Sequence, residues 1–260
     1  MELGKRLRKC RVVETDEVDH IIGKASRKIS FSAIRQCLLA NDLPEEYRNM
    51  LQKNAYDILR VEHHLKDYYD ILSDHYDYHP EKLSVGEMER NFFLRVRNTL
   101  DNRMDVKMFF PKGKENLFLY VDKECLEYAL LELILNAQQH ALTDPDTRKE
   151  IRIWVSGAGK GIRFSISDNG QGMDEEELTH CCEPGFSMSE DRNSLGLGLC
   201  LVRYFASVCH GKFDLSSEKG KGTTVKLTIP RATEEECLGV ASAKIASDEY
   251  PNPVDIMLGV

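Results

Sequence analysis

The sequence predicts an α+β protein: an N-terminal antiparallel helical hairpin, forming a four-helix bundle on dimerisation, followed by an α/β sandwich. Three observations predict it. A heptad of mostly apolar residues runs from Tyr47 to Leu72. Beyond Pro80, short alternating stretches of strand type interleave with helical ones. One such stretch, Ile162-Arg163-Phe164-Ser165-Ile166-Ser167, runs straight into Asp168-Asn169-Gly170-Gln171-Gly172-Met173, an acid and a double-glycine turn where backbone can approach a ligand closely.

The hairpin comes first. Val18, Ile21, Ile22, Ala25, Ile29, Ala33 and Cys37 recur at helical spacing and predict a helix over 14–40. Asn41-Asp42-Leu43-Pro44-Glu45-Glu46 supplies a cap, an early proline and first-turn acids for a second helix over 44–73. Tyr47, Leu51, Asn54, Ile58, Val61, Leu65, Tyr68 and Leu72 form its seam over about seven turns. The short turn makes the helices antiparallel neighbours. Two helices have little core of their own, so two hairpins pairing into a bundle, or one packing on the rest of its chain, completes them. His63 and His64, between Val61 and Leu65, are expected on the solvated face.

After Pro80, Leu83-Ser84-Val85 predicts a short strand. Residues 86–100 predict a helix with Met88, Phe92, Val96 and Leu100 on one face. Strands at 106–110 and 117–121 bracket the turn at 111–114, and Asp122 caps a helix reaching about Leu142. Strands at 150–156, 161–167 and 223–229 follow, with a helix near 197–209 whose Val202, Phe205, Ala206 and Cys209 face the sheet. A mixed sheet with helices on one face is the simplest packing of this order. The domains expected are 1–80, 81–230 and a tail, 231–260, to which no role is assigned.

A net charge of −8 over 260 residues excludes a broad basic surface for nucleic acid. No run of 18 apolar residues predicts a membrane span, and no secretory signal is visible. Eight cysteines without a C-x-x-C pair point to reduced thiols and a cytoplasmic location. His180-Cys181-Cys182 and Cys209-His210 lack partners at zinc-ligand spacing, so no zinc site is expected.

Glu132, Asn136 and His140 fall at i, i+4 and i+8 along one helix face, among Leu131, Ile134, Leu135 and Ala141. They read as a solvated stripe or as a magnesium and phosphate stripe. Mg²⁺ wants oxygen ligands, and an Asn136 amide offers one without adding charge. Gly196 and Gly198 open a helix whose N–H groups can cradle an anion.

Taken in order, Glu132-Leu133-Ile134-Leu135-Asn136-Ala137, Asp168 to Met173, and Leu195-Gly196-Leu197-Gly198-Leu199 resemble the N, G1 and G2 boxes of the GHKL ATPase superfamily, in the form used by sensor histidine kinases. The element order is similar to its Bergerat fold. The resemblance implies ATP and Mg²⁺ as cofactors. Asp168 would accept the exocyclic amine of adenine, Gly170 and Gly172 would pass beneath the base, and Met173 would wall it. Asn136 would ligate Mg²⁺, His140 would contact phosphate, and Glu132 would orient or deprotonate the attacking group. Gly196, Leu197 and Gly198 would hold phosphate. Glu183-Pro184-Gly185-Phe186-Ser187 resembles the F box, and 187–193 the ATP lid, from which Arg192 would reach phosphate. Gly220-Lys221-Gly222-Thr223-Thr224 resembles the closing hairpin and adds Thr223 to the binding residues. Two departures stand out: Gln139 where many relatives have lysine, and Ser194 for the first glycine of G-x-G-L-G-L.

The hairpin is similar to the dimerisation and histidine-phosphotransfer domain of the same kinases. Its phosphoacceptor box is degraded: Ala25 stands where the histidine should be, Ser26 for the acid and Ser30 for the proline. An imidazole nitrogen can accept phosphate and a methyl group cannot. His20, five residues earlier, is the phosphoacceptor candidate that remains on that helix. The resemblance therefore implies an ATP-dependent histidine-kinase-like phosphotransferase, homodimeric through 14–73, with a response regulator or a partner kinase as reader. A degenerate, non-autophosphorylating ATP-binding dimer that controls a partner by shape is the alternative. Serine kinases of the anti-sigma type share the boxes but lack the hairpin. A gyrase or chaperone subunit needs a transducer domain that 260 residues cannot hold.

Overall fold

The computed structural model describes residues 44, 47, 60–61, 63–73, 75–76, 78–100, 104–140, 149–187 and 195–233. The expected helix over 14–40, with His20, Ala25, Ser26 and Ser30, lies outside them, as does the tail beyond 233. The chain divides into two units. One comprises Met1–Asp77, Pro184–Leu197 and Asp248–Val260; the other comprises Tyr78–Glu183 and Gly198–Ser247.

In the first unit, residues 63–73 are helical, as the heptad predicts. His63 Nε2 lies 3.6 Å from Asp67, one turn on. His64 is buried rather than solvated. It stands three residues after Val61, so it shares that residue's flank of the helix.

The second unit opens with β1 (Glu81–Ser84). Ser84 ends the strand because its hydroxyl accepts the Gly86 N–H at 3.2 Å and starts a helix, so Val85 is helical and not extended as expected. Helix α1 (Val85–Met88) passes through a π-helical turn (Glu89–Phe93) into α2 (Leu94–Leu100). The predicted face of Met88, Phe92, Val96 and Leu100 is buried. The π turn adds Phe93 to it, the two phenyl rings meeting edge-on at 5.0 Å and 77°.

Strands β2 (Asp105–Phe109) and β3 (Phe118–Val121) bracket the predicted turn but enter different sheets. β3 pairs antiparallel with β1. The five-stranded sheet contains β2, β4 (Glu150–Ala158), β5 (Gly161–Asp168), β7 (Gly222–Pro230) and β6 (Lys212–Glu218), in that spatial order. Only the β2–β4 pair is parallel. Alternation decides which side is core. Val155, Phe164 and Leu227 stand opposite one another across three strands and are buried. Each contributes about 1.5–3 kcal/mol by leaving water. Arg152 and Trp154 alternate outward, where Trp154 stacks on Phe109 with ring centroids 4.6 Å apart.

Against the inner face lie α3 (Lys123–Gln139) and α5 (Gly198–Val208), which also pack on each other. Asp122 caps α3 as predicted, one carboxylate oxygen accepting the Cys125 N–H at 3.2 Å and the other the His79 N–H at 2.9 Å. The helix ends at Gln139, with His140 as its C-cap, short of the expected Leu142. Helix α5 closes with His210 at φ 54°, while Gly211 N–H returns to the Ala206 carbonyl at 2.7 Å. The same backbone shape usually takes glycine.

Candidate functional site

The site grows from the end of β5. Asp168 is half-buried there. Its Oδ1 accepts the N–H of Gly170 at 2.8 Å and the N–H of Thr223 at 3.2 Å. Burial pushes the carboxyl above its ordinary value of 3.8, against those two hydrogen bonds and the charge of His140.

The turn after it is clasped on three sides. Gln171 donates its N–H to the His140 carbonyl at 3.0 Å, and its side-chain Nε2 lies 3.3 Å from His140 Nδ1. Gly220 N–H donates to the Gln171 carbonyl at 2.7 Å. Asn169 Oδ1 accepts the Glu150 N–H at 2.8 Å, which holds the turn to the start of β4. Space then dictates glycine. A Cβ on Gly170 would collide with the His140 carbonyl. Gly172, at φ 61°, would drive one into the Glu218 carbonyl.

Met173 is buried, and its N–H donates to Ser217 Oγ at 2.8 Å. The Ser217 hydroxyl donates to the Gly222 carbonyl at 3.1 Å and lies 2.8 Å from Thr223 Oγ1. Helix α4 (Glu175–His180) starts beside this point with a capping box of Asp174 and Glu177, and Lys219 reaches Glu177 at 2.7 Å. The Glu177 N–H and the Lys219 charge hold the Asp174 carboxyl below its ordinary range.

Of the predicted residues, the structure gathers Asp168, Gly170, Gly172, Met173, Thr223 and His140 around this turn. Asn136 is half-buried one helical turn before His140, whose N–H donates to its carbonyl at 3.1 Å. Glu132, one turn earlier again, is 0% exposed. The three residues are thus not a uniformly solvated stripe; exposure opens only toward the helix end. Gly198 is the first residue of α5 and buried. Phe186, Gly196 and Leu197 belong to the first unit, where the Gly185 N–H donates to the Gly196 carbonyl at 3.1 Å and Leu197 is buried. His20 lies outside the described residues.

Sequence reasoning missed Ser217, Asn169 and Glu150, which hold the turn. The signal available for α4 was Asp174 with Glu177 three residues on. Nothing local marks Ser217, whose partners are 5, 6 and 44 residues away.

A mixed sheet with polar groups gathered where the chain leaves a central strand defines a small-ligand domain of the α/β layered class. Residues 121–233 match the family described as "Histidine kinase-, DNA gyrase B-, and HSP90-like ATPase", and the chain carries a histidine kinase-like ATPase domain of that family. The phosphate regulon sensor protein PhoR of Haemophilus influenzae is 28% identical over 120 residues, 45% of this chain and 27% of the relative. The methanogenesis regulatory histidine kinase FilI of Methanothrix harundinacea is 28% identical over 151 residues, 58% of this chain and 16% of the relative. The sensor histidine kinase ZraS of Escherichia coli is 27% identical over 144 residues, 54% of this chain and 29% of the relative. The chain thus spans less than a third of the length of these relatives. Among solved structures, the catalytic domain of histidine kinase ThkA superposes with a TM-score of 0.48 at 20% identity, over 59% of this chain and 96% of that one. The mycobacterial sensor histidine kinase MprB does so with a TM-score of 0.48 at 18% identity, over 59% and 98%. Among the described residues, no helix is long and apolar enough to cross a membrane.

Proposed function

We propose that the chain is an ATP-binding histidine-kinase-like signalling protein of a two-component-type pathway, which holds Mg-ATP in a Bergerat pocket for phosphoryl transfer. The observation that carries this reading is Asp168, a half-buried carboxylate whose Oδ1 is occupied by two backbone N–H groups. Its second oxygen would accept the exocyclic amine of adenine. Guanine offers a carbonyl at that position and would be rejected. The glycine turn lets the base lie against backbone, beside buried Met173.

Asn136 supplies an uncharged oxygen at the half-buried helix end, which suits magnesium's preference for oxygen donors and retained waters. Magnesium bound there supplies neutralisation of phosphate charge. His140 and Thr223 stand beside the turn for phosphate and base contacts, and Gly198 offers the N-terminal N–H groups of α5. Glu132, sealed in the helix core, orients the attacking group. Positioning and electrostatics carry the transfer.

The hairpin over 1–80 would make the homodimer through 14–73. The region 81–230 would bind nucleotide, and a response regulator or a partner kinase would be the reader. Among the described residues, Cys125, Cys181, Cys182, Cys200 and Cys209 are thiols outside any disulfide, which suits a reducing cytoplasm. A second reading rests on Ala25, Ser26 and Ser30 at the phosphoacceptor box: a dimer that binds ATP, never labels itself and regulates a partner.

Incubation with γ-labelled ATP and Mg²⁺ separates the readings. Acid-labile, base-stable label that disappears in His20→Ala, and falls at least about tenfold in Glu132→Gln with nucleotide binding kept, supports the kinase. Binding without label supports the second reading. Calorimetry that detects no uptake of adenine nucleotide with magnesium would overturn both.

A further inference from the structure

Cys181 follows α4 directly, and its sulfur lies 3.8 Å from that of Cys182. The two are not equivalent. Cys181 is buried, and its thiol also reaches the Leu178 carbonyl at 3.2 Å. Cys182 is half-buried and feels the charge of Arg203, an exposed residue of α5. The contact with the Cys181 sulfur, and then the Arg203 charge, holds the Cys182 thiol below its ordinary value despite burial. The same sulfur contact and burial push Cys181 up. Neither cysteine is among the residues assigned above to nucleotide binding or phosphoryl transfer.

We propose that Cys181 and Cys182 form a peroxide-sensitive dithiol, with Cys182 as the nucleophile and Cys181 as the resolving thiol. In the first step the Cys182 thiolate attacks one oxygen of hydrogen peroxide. The O–O bond breaks, hydroxide leaves and is protonated to water, and Cys182 becomes a sulfenic acid. In the second step the Cys181 sulfur attacks the sulfenyl sulfur. The S–O bond breaks, an S–S bond forms, and the departing hydroxide takes the Cys181 proton as a second water. Two thiols lose two electrons and the peroxide gains them.

Geometry assigns the order. Access selects the sulfur that reacts first: Cys182 is half-buried and Cys181 buried, and the Arg203 charge acts on Cys182. The short sulfur–sulfur gap makes the second step intramolecular. Adjacent Cα atoms sit about 3.8 Å apart, below the usual disulfide span of about 4.4–6.8 Å, so the product is strained and small thiols reduce it readily.

The test uses the full chain, hydrogen peroxide, a dimedone-type trap for sulfenic acid, and peptide mass spectrometry. Wild type is expected to lose about 2 Da, the mass of two hydrogens, on the peptide holding both cysteines, and to regain it with dithiothreitol. In Cys181→Ser the trap should accumulate on Cys182, about tenfold or more above Cys200 and Cys209 in the same chain. Arg203→Gln, at an exposed position, should slow trapping about threefold to tenfold. An unchanged wild-type peptide, or equal labelling of Cys182 and Cys209, overturns the proposal. Should Cys181→Ser fail to fold by circular dichroism, the wild-type mass change and the Arg203→Gln rate decide.

Discussion

Thr223 donates its backbone N–H to Oδ1 of Asp168 across 55 residues of sequence, at 3.2 Å. This bond joins the start of β7 to the end of β5 and fixes the carboxylate before any ligand arrives. Asp168→Asn keeps an acceptor for Gly170 and Thr223 but discards the charge. Adenine-nucleotide affinity should fall by about 1.5–3 kcal/mol, roughly tenfold to a hundredfold, with the melting curve little changed. A titration within twofold of wild type would remove Asp168 from base recognition.

Acid should reveal the same group twice. The folded carboxyl titrates above its ordinary 3.8 because burial penalises the charge. The folded chain therefore binds that proton more tightly than the unfolded chain. The resulting stability is full below 3.8 and is lost as pH rises through the folded value. Nucleotide binding runs the other way, since the charged form accepts the amine, and should weaken on acidification while pH is still above 3.8. Denaturation and binding profiles of wild type against Asp168→Asn check both signs.

Two glycines of positive φ should respond differently to alanine. Gly172 at φ 61° faces the Glu218 carbonyl, whereas Gly113 at φ 72° has nothing within 4 Å of an added Cβ. Gly172→Ala is expected to cost about 2–4 kcal/mol, from collision added to backbone strain. Gly113→Ala should cost about 1 kcal/mol, from backbone conformation alone. Chemical denaturation of both variants measures the gap; equal costs would refute the clasped turn.

His210 holds a left-handed conformation at the end of α5. His210→Gly should stabilise the protein by about 0.5–1 kcal/mol, about 2–3 °C in melting temperature. A lower melting temperature would mean that the imidazole makes a compensating contact.

Much of the second unit was legible because its periods are clean. Ile151, Ile153 and Val155 alternate with outward residues, as do Ile162, Phe164 and Ile166, so β4 and β5 could be read directly. The glycine turn was legible because Gly170 and Gly172 meet carbonyls that leave no room for a side chain. β6 was missed because an edge strand pairs on one side only, and none of its seven residues is fully buried. The separate pairing of β3 with β1 was hidden because a turn at 111–114 suggests nothing about which sheet each arm joins. Glu132 looked like part of a polar edge because spacing along a helix carries no information on what covers that edge.

The π turn at Glu89–Phe93 takes up one residue more than an α-helical turn without rotating the helix beyond it. Val96 and Leu100 keep their inward phase whether or not the surplus residue is there. Removing one codon from this stretch would let the helix close to regular geometry, sacrificing a phenyl ring but sparing the downstream register. A one-codon loss inside α3 would instead swing the residues beyond it by about 100°. Length variation in this protein is therefore absorbed at a place set by helical arithmetic, and a deletion scan across 85–100 would locate it.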